Sequence, residues 1–131
     1  MNTPFPKDRH FNSEGLKIHF LEWGDCRNPA IILLHHIGSQ AHVWDNFSRN
    51  MSKEYFVLAM DMRGHGDSEW AGEGKYTTEH YASDVDGLVD YLRLDNIVIL
   101  GGSTGGRVAL VYAAQHPKTV THLIMEDVGA V

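Results

Sequence analysis

The feature that most constrains the fold of this chain is an alternation of short apolar runs with segments of helical periodicity. Mainly apolar runs occupy residues 30–34, 56–60, 96–100 and 121–125. Their length and continuous hydrophobicity predict strands buried on both faces of a parallel sheet. Apolar residues at helical spacing separate the runs: Trp44, Phe47 and Met51, then Tyr81, Val85, Leu88 and Leu92, then Val108, Val111 and Tyr112. This alternation predicts βαβ crossovers and a doubly wound, mostly parallel α/β sheet.

An antiparallel hairpin is predicted at the N-terminal end. Residues 9–12 and 16–23 flank the turn Ser13-Glu14-Gly15, and the second segment alternates apolar and polar residues. Such alternation is typical of a half-buried strand at the edge of a sheet. With 131 residues, of which 43% are hydrophobic, residues 1–131 are expected to form a single domain with one real core.

Composition excludes several classes of partner. The net charge is −6 and no Lys/Arg cluster is present, so no nucleic-acid partner is expected. Cys26 is the only cysteine, which excludes an intrachain disulfide and favours a reducing compartment. The polar first ten residues and the short apolar runs predict a cytoplasmic protein without membrane contact. The histidines match no ligand spacing, so no metal is expected. The chemistry that the motifs below indicate implies no other cofactor.

The strongest chemical signal is the segment Gly101-Gly102-Ser103-Thr104-Gly105. It follows directly on the run 96–100 and leads into a helix predicted over residues 106–116. This strand-turn-helix order is the setting in which hydrolases place a serine nucleophile, on a sharp turn called the nucleophile elbow. The turn is so tight that side chains at Gly101 and Gly105 would collide with backbone. At the helix N-terminus, backbone N–H groups favour developing negative charge.

Other interpretations of this loop fit less well. A phosphate-binding P-loop needs Lys and a hydroxyl where the chain has Arg107 and Val108. The dinucleotide-binding glycine pattern fails because Ser103 occupies its second glycine position. A structural glycine turn with an inert Ser103 remains an alternative.

Two more segments complete a family pattern. His35-His36-Ile37-Gly38-Ser39 follows the run 30–34 and precedes Trp44, and Asp61-Met62-Arg63-Gly64-His65-Gly66-Asp67-Ser68 follows the run 56–60. Together with the serine elbow, in this order and at about these separations, they resemble the α/β-hydrolase superfamily over nearly the whole chain.

The resemblance implies a role for each matching residue. Ser103 would be the nucleophile, and the backbone N–H groups of Ile37 and Thr104 would form the oxyanion hole. The segment 61–68 would be structural, with Asp61 and Arg63 holding its turn, and His35 would brace its own loop.

The chain also departs from the family pattern. In the family, a cap and two further strands follow, bearing an acid and the catalytic histidine, so the resemblance covers a truncated α/β-hydrolase fold. Four explanations are open: a fragment, strands supplied by a partner chain, a histidine within this chain, or an inactive binding module. His36, or His35 beside it, could approach the Ser103 hydroxyl within this chain; His36, in a position that is usually glycine, is the candidate chosen, and Asp127 would orient a histidine.

The resulting prediction is a serine hydrolase of carboxylic esters or lactones, acting on a small molecule through an acyl-enzyme at Ser103. The alternative is a catalytically inactive binding or assembly module on the same scaffold. The last predicted strand, residues 121–125, would present unpaired N–H and C=O groups at an edge. Pairing with a second copy would cover it, so a homo-oligomer is expected.

Overall fold

The computed structural model describes residues 4–127 as a six-stranded mixed sheet covered by helices on both faces. The strands are β1 (Lys7–Ser13), β2 (Leu16–Trp23), β3 (Ala30–Leu34), β4 (Phe56–Met60), β5 (Ile97–Gly102) and β6 (Val120–Glu126). The helices are α1 (Asp45–Met51), which follows a 3-10 turn at Ala41–Trp44, α2 (Thr78–Leu92) and α3 (Thr104–Gln115). No helix within residues 4–127 is both long and apolar enough to cross a bilayer.

The strand order, β1-β2-β4-β3-β5-β6, confirms the doubly wound sheet with an antiparallel hairpin at one edge. β1 and β2 pair antiparallel, β2 pairs antiparallel with β4, and the remaining pairs are parallel. In the register of β3 with β5, Leu34 lies opposite Gly101. The loops that follow these two strands therefore leave the sheet side by side, which is the position of a ligand site in open α/β folds.

Two apolar layers hold the sheet. On one face, Val85 and Leu88 of α2 and Val108 of α3 join side chains from the central strands in the larger buried cluster. On the other face, Leu33 and Val57 belong to a smaller cluster against which Phe47 and Met51 of α1 pack. β3 and β4 are buried along their whole length, as predicted from their continuous hydrophobicity.

The structure corrects several sequence-based boundaries, of which those around Ser103 matter most, and one prediction of burial. β5 extends to Gly102 and α3 begins at Thr104, because the chain turns from strand to helix within one residue. The prediction that the last strand is buried on both faces is wrong. β6 is largely exposed, including Ile124 (48%) and Met125 (45%), because it lies at the sheet edge with no strand beyond it in residues 4–127.

The exposed β6 edge gives the expected homo-oligomer a testable form. If copies of the 131-residue chain pair through this edge, Ile124→Lys should shift the protein toward the monomer, because a charged edge residue opposes strand pairing. Val43→Lys, at an apolar position with 55% exposure on the 3-10 turn, is the matched control. Sedimentation velocity of the three proteins measures the result, and a monomeric wild-type chain would contradict the prediction.

Candidate active site

Ser103 lies at the turn between β5 and α3 with φ 51° and ψ −113°, which is a strained backbone conformation for a non-glycine residue. Two glycines allow this turn. A Cβ at Gly101 would lie 2.5 Å from the Gly106 nitrogen and in collision with the Gly105 carbonyl. A Cβ at Gly105 would collide with the Leu34 carbonyl at the end of β3. The serine side chain is exposed at the top of the sheet, as the elbow interpretation predicts.

The close approach at Gly105 predicts a large effect of a single methyl group. Gly105→Ala would place its Cβ 2.6 Å from the His35 carbonyl oxygen, so β3 and α3 must move apart. We expect a loss of roughly 1–3 kcal/mol of stability, the usual range for overpacking, and a displaced elbow. Urea denaturation measures it, with Gly72→Ala as control because nothing lies within 4 Å of a Cβ there. Equal stability of the two variants would contradict this account.

A cleft beside Ser103 collects the residues that the sequence singled out. It is lined by His36, Ile37, Gly102, Ser103, Thr104, Glu126 and Asp127. All five candidate site residues therefore lie around one opening, although the tasks assigned to them stay predictions. Glu126, the last residue of β6, was not among the residues singled out from the sequence. Its place at the carboxyl end of a predicted strand, directly before Asp127, is the signal that could have identified it. Its carbonyl accepts a hydrogen bond from the Ser103 N–H at 2.8 Å.

The two expected oxyanion donors are backbone amides on different elements. Thr104 is the first residue of α3, so its N–H has no acceptor within the helix. Ile37 lies in the loop after β3, which is closed by the Ser39 N–H donating to the His36 carbonyl at 3.0 Å. His36 has no positive φ, so the backbone there does not require glycine.

His35 braces this loop as a neutral ring. Its Nδ1 donates to the His36 carbonyl at 2.8 Å, and its Nε2 accepts from the Met62 N–H at 3.0 Å. The side chain is fully buried, and this burial lowers the pKa of His35 to about 4. A ring with both nitrogens engaged and no readily gained proton ties the loop after β3 to the loop after β4.

Asp61 joins the same two loops from the other side. Its buried carboxylate accepts hydrogen bonds from the Ala41 N–H at 2.7 Å and from the Asp67 N–H at 3.0 Å, and it lies 2.7 Å from Nδ1 of His19. Burial alone would raise the pKa of Asp61, but the hydrogen bonds from His19 and from the two amides hold it below its usual value. Asp61 is thus an ionised structural group, in agreement with its expected bracing role.

Arg63 holds the next part of the turn. Its guanidinium donates twice to the fully buried Asp84 of α2, each time at 2.7 Å, and also reaches Glu14 at 2.8 Å and the Lys75 carbonyl at 3.0 Å. The hydrogen bond and charge of Asp84 raise the Arg63 pKa further above its usual value. The arginine therefore locks the segment after β4 to α2 and to the β1–β2 turn, away from the cleft.

His36 and Asp127 share the cleft with Ser103, and both are exposed. Within residues 4–127, no hydrogen bond joins the Ser103 hydroxyl to a histidine. The geometry therefore places Ser103, the Ile37 and Thr104 segments and one histidine at the same opening. The roles of nucleophile, oxyanion donors, general base and orienting acid all stay predictions.

This arrangement agrees with the comparisons with known proteins. A family model described as alpha/beta hydrolase fold matches residues 29–128. The chain belongs to the α/β hydrolase fold family. The crystal structure of a bacterial membrane phospholipase A superposes on this α/β hydrolase chain with a TM-score of 0.91 and 30% identity, covering 96% of this chain and 41% of the other.

Curated relatives of this α/β hydrolase chain have several activities in their names. The bifunctional esterase/perhydrolase DCH of Acinetobacter calcoaceticus is 36% identical over 106 residues, covering 80% of this chain and 38% of the relative. Epoxide hydrolase 4 of Mus musculus is 30% identical over 112 residues, covering 85% of this chain and 31% of the relative. The chain spans less than half the length of these relatives.

The His35 brace predicts how stability depends on pH. Because the pKa of His35 falls from 6.5 to about 4 on folding, its contribution is complete above pH 6.5 and is lost as the pH falls toward 4. At about 1.4 kcal/mol per unit of pKa shift, the loss between pH 7 and pH 4.5 is roughly 2–3 kcal/mol.

His35→Gln keeps an acceptor for the Met62 N–H but has no ionisable ring. Urea denaturation at pH 7 and pH 4.5 should therefore show a smaller loss of stability in the variant than in the wild-type chain. The other titrating groups, including His19, are common to both proteins and cancel in the comparison. Parallel pH dependence of the two proteins would contradict a buried neutral His35.

Proposed function

We propose that this chain carries the nucleophile of a serine hydrolase that cleaves carboxylic esters, including lactones, through an acyl-enzyme at Ser103. The observation that carries the proposal is the strained Ser103 turn, which puts an exposed hydroxyl at the start of α3 beside the loop that bears Ile37. Strain of this kind persists only where the surrounding structure enforces it. Here Gly101 and Gly105 remove the side chains that would prevent it.

The proposed reaction has two balanced steps. Ser103 Oγ attacks the ester carbonyl carbon while its proton passes to a base, and the tetrahedral oxyanion accepts hydrogen bonds from the Ile37 and Thr104 amides. Collapse of the intermediate expels the alcohol, which takes up the proton and, in a lactone, stays attached to the acyl group. Water then attacks the acyl-serine and releases the acid. None of these steps requires a cofactor.

A serine nucleophile favours ester over epoxide hydrolysis, although relatives bear both names. Attack of a serine oxygen on an epoxide carbon would produce an alkyl ether, which water does not cleave under mild conditions. Attack on an ester carbonyl produces an acyl-serine, which water does cleave. The esterase relatives are therefore the better guide to the chemistry of Ser103.

The proposal requires a base, because a serine hydroxyl at its free pKa is a poor nucleophile. His36 is the histidine that lines the cleft with Ser103, so it is the first in-chain residue to test. The other source is a histidine on strands supplied by another polypeptide segment. An inactive binding module is the competing function and is an outcome of the same experiment.

Fluorophosphonate labelling of the purified 131-residue chain tests this proposal. We expect one covalent adduct per chain by intact mass, abolished in Ser103→Ala and retained in Ser39→Ala, the control serine in the loop after β3. His36→Ala should slow labelling at least tenfold if His36 is the base, and should leave it unchanged if the base comes from elsewhere. An unlabelled chain with native circular dichroism would contradict the enzyme and support the binding module.

The cellular setting is also a proposal. Cys26, the single cysteine of the sequence, is exposed and unpaired within residues 4–127, which agrees with a reducing compartment. We therefore propose a cytoplasmic location, a small ester or lactone as substrate, and self-association through β6 as the partner interaction. No nucleic-acid or membrane partner is proposed, in line with the acidic net charge.

A further inference from the structure

We propose that His19, Asp8 and Asp67 form a binding site for a divalent metal ion, which we assign as Zn²⁺. The three residues come from β2, from β1 and from the loop after β4. One ligand atom from each lies within 4.8 Å of the others. Imidazole nitrogen and carboxylate oxygen are ligands that zinc accepts in proteins.

The histidine is already oriented as a metal ligand. His19 is 1% exposed, and its Nδ1 lies 2.7 Å from Oδ2 of the buried Asp61. Asp61 is itself fixed by two backbone amides. A carboxylate on the far nitrogen of a ligating histidine sets the tautomer and presents Nε2 to the metal. In the structure Nε2 pairs directly with Asp8 at 2.7 Å, and the ion would replace this direct contact by binding both groups.

Charge balance gives a second reason for a cation at this position. Both nitrogens of His19 face a carboxylate, that of Asp61 on one side and that of Asp8 on the other. Asp67 adds a third carboxylate to the same set. A divalent ion at this position would balance these negative charges.

The remaining geometry can be met by movement of exposed side chains. Tetrahedral zinc with bonds of about 2.0–2.2 Å places its ligand atoms about 3.3–3.5 Å apart. The Asp8 carboxylate, 2.7 Å from Nε2 of His19, must therefore move slightly outward to admit the ion. The side chain of Asp8 is 67% exposed and that of Asp67 is also exposed, so both are free to adjust. His10 pairs with His19 across the hairpin, with ring centroids 5.1 Å apart. Water would complete the tetrahedral coordination of the ion.

The position of the cluster indicates a structural task. In the strand order, β2 is separated from β5 by β4 and β3, which corresponds to about 14 Å at the usual strand spacing. The ion would therefore lie outside the Ser103 cleft. It would fasten the edge strand β1 to the loop after β4. It would also support Asp61, which accepts a hydrogen bond from the Ala41 N–H, four residues after Ile37.

A zinc titration of the purified 131-residue chain against a chromophoric chelator tests this proposal. We expect one Zn²⁺ per chain with a micromolar or lower Kd and a Tm that rises on zinc addition. Asp8→Asn and Asp67→Asn should each weaken binding about tenfold or more. The matched control is Asp45→Asn, which removes the carboxylate of an exposed pair in which His42 Nδ1 lies 2.9 Å from Asp45, and it should leave the Kd unchanged.

The exposed aspartates are the primary variants because His19→Gln would also remove the buried partner of Asp61. Three results would overturn the proposal: no stoichiometric binding at millimolar zinc, a Kd that is the same in both aspartate variants and in the wild type, or protons on both His19 nitrogens by ¹⁵N NMR at saturating zinc. The last result would show that a proton occupies the position assigned to the metal.

Discussion

The close contact between the first turn of α3 and the end of β3 is the constraint on which the candidate site depends. Gly105 packs so tightly against the Leu34 and His35 carbonyls that a single methyl group has no space there. This contact sets the distance between the start of α3 and the end of β3. The chain must therefore turn from β5 into α3 within one residue, Ser103, which adopts unusual dihedral angles. Because the same carbonyls begin the loop that carries Ile37, one contact positions both Ser103, the proposed nucleophile, and the loop proposed to supply an oxyanion donor.

A polar framework supports this contact from the neighbouring strand. His35 and Asp61 both connect the loop after β3 with the loop after β4, the first by accepting from the Met62 N–H and the second by accepting from the Ala41 N–H. Arg63 then ties the second loop to Asp84 on α2. Burial makes each of these hydrogen bonds costly to lose. These buried polar side chains therefore serve mainly to position backbone, while the proposed chemistry belongs to Ser103 and two amide groups.

The two ends of the sheet differ in how they are completed. At the β1 edge, the hairpin is held by the Asp8, His19 and Asp61 interactions and by packing on α2. At the β6 edge, apolar side chains such as Ile124 remain exposed. Exposed strand edges with apolar side chains are typical interaction surfaces, so β6 is the edge through which the proposed association of this chain would occur. The zinc proposal concerns the opposite edge and is independent of that association.

The sequence by itself determined the architecture and the elbow. Continuous apolar runs predicted β3 and β4 with their observed bounds, and the glycines around Ser103 predicted the turn, because buried strands and sterically forced turns depend on local residue types. It did not determine that β6 is exposed, because burial depends on what packs against a strand. Nor did it reveal the His19 cluster, whose members are brought together only when β2 pairs with β1 and β4. Tertiary structure decided these points because distances between residues far apart in sequence are set by strand order and register.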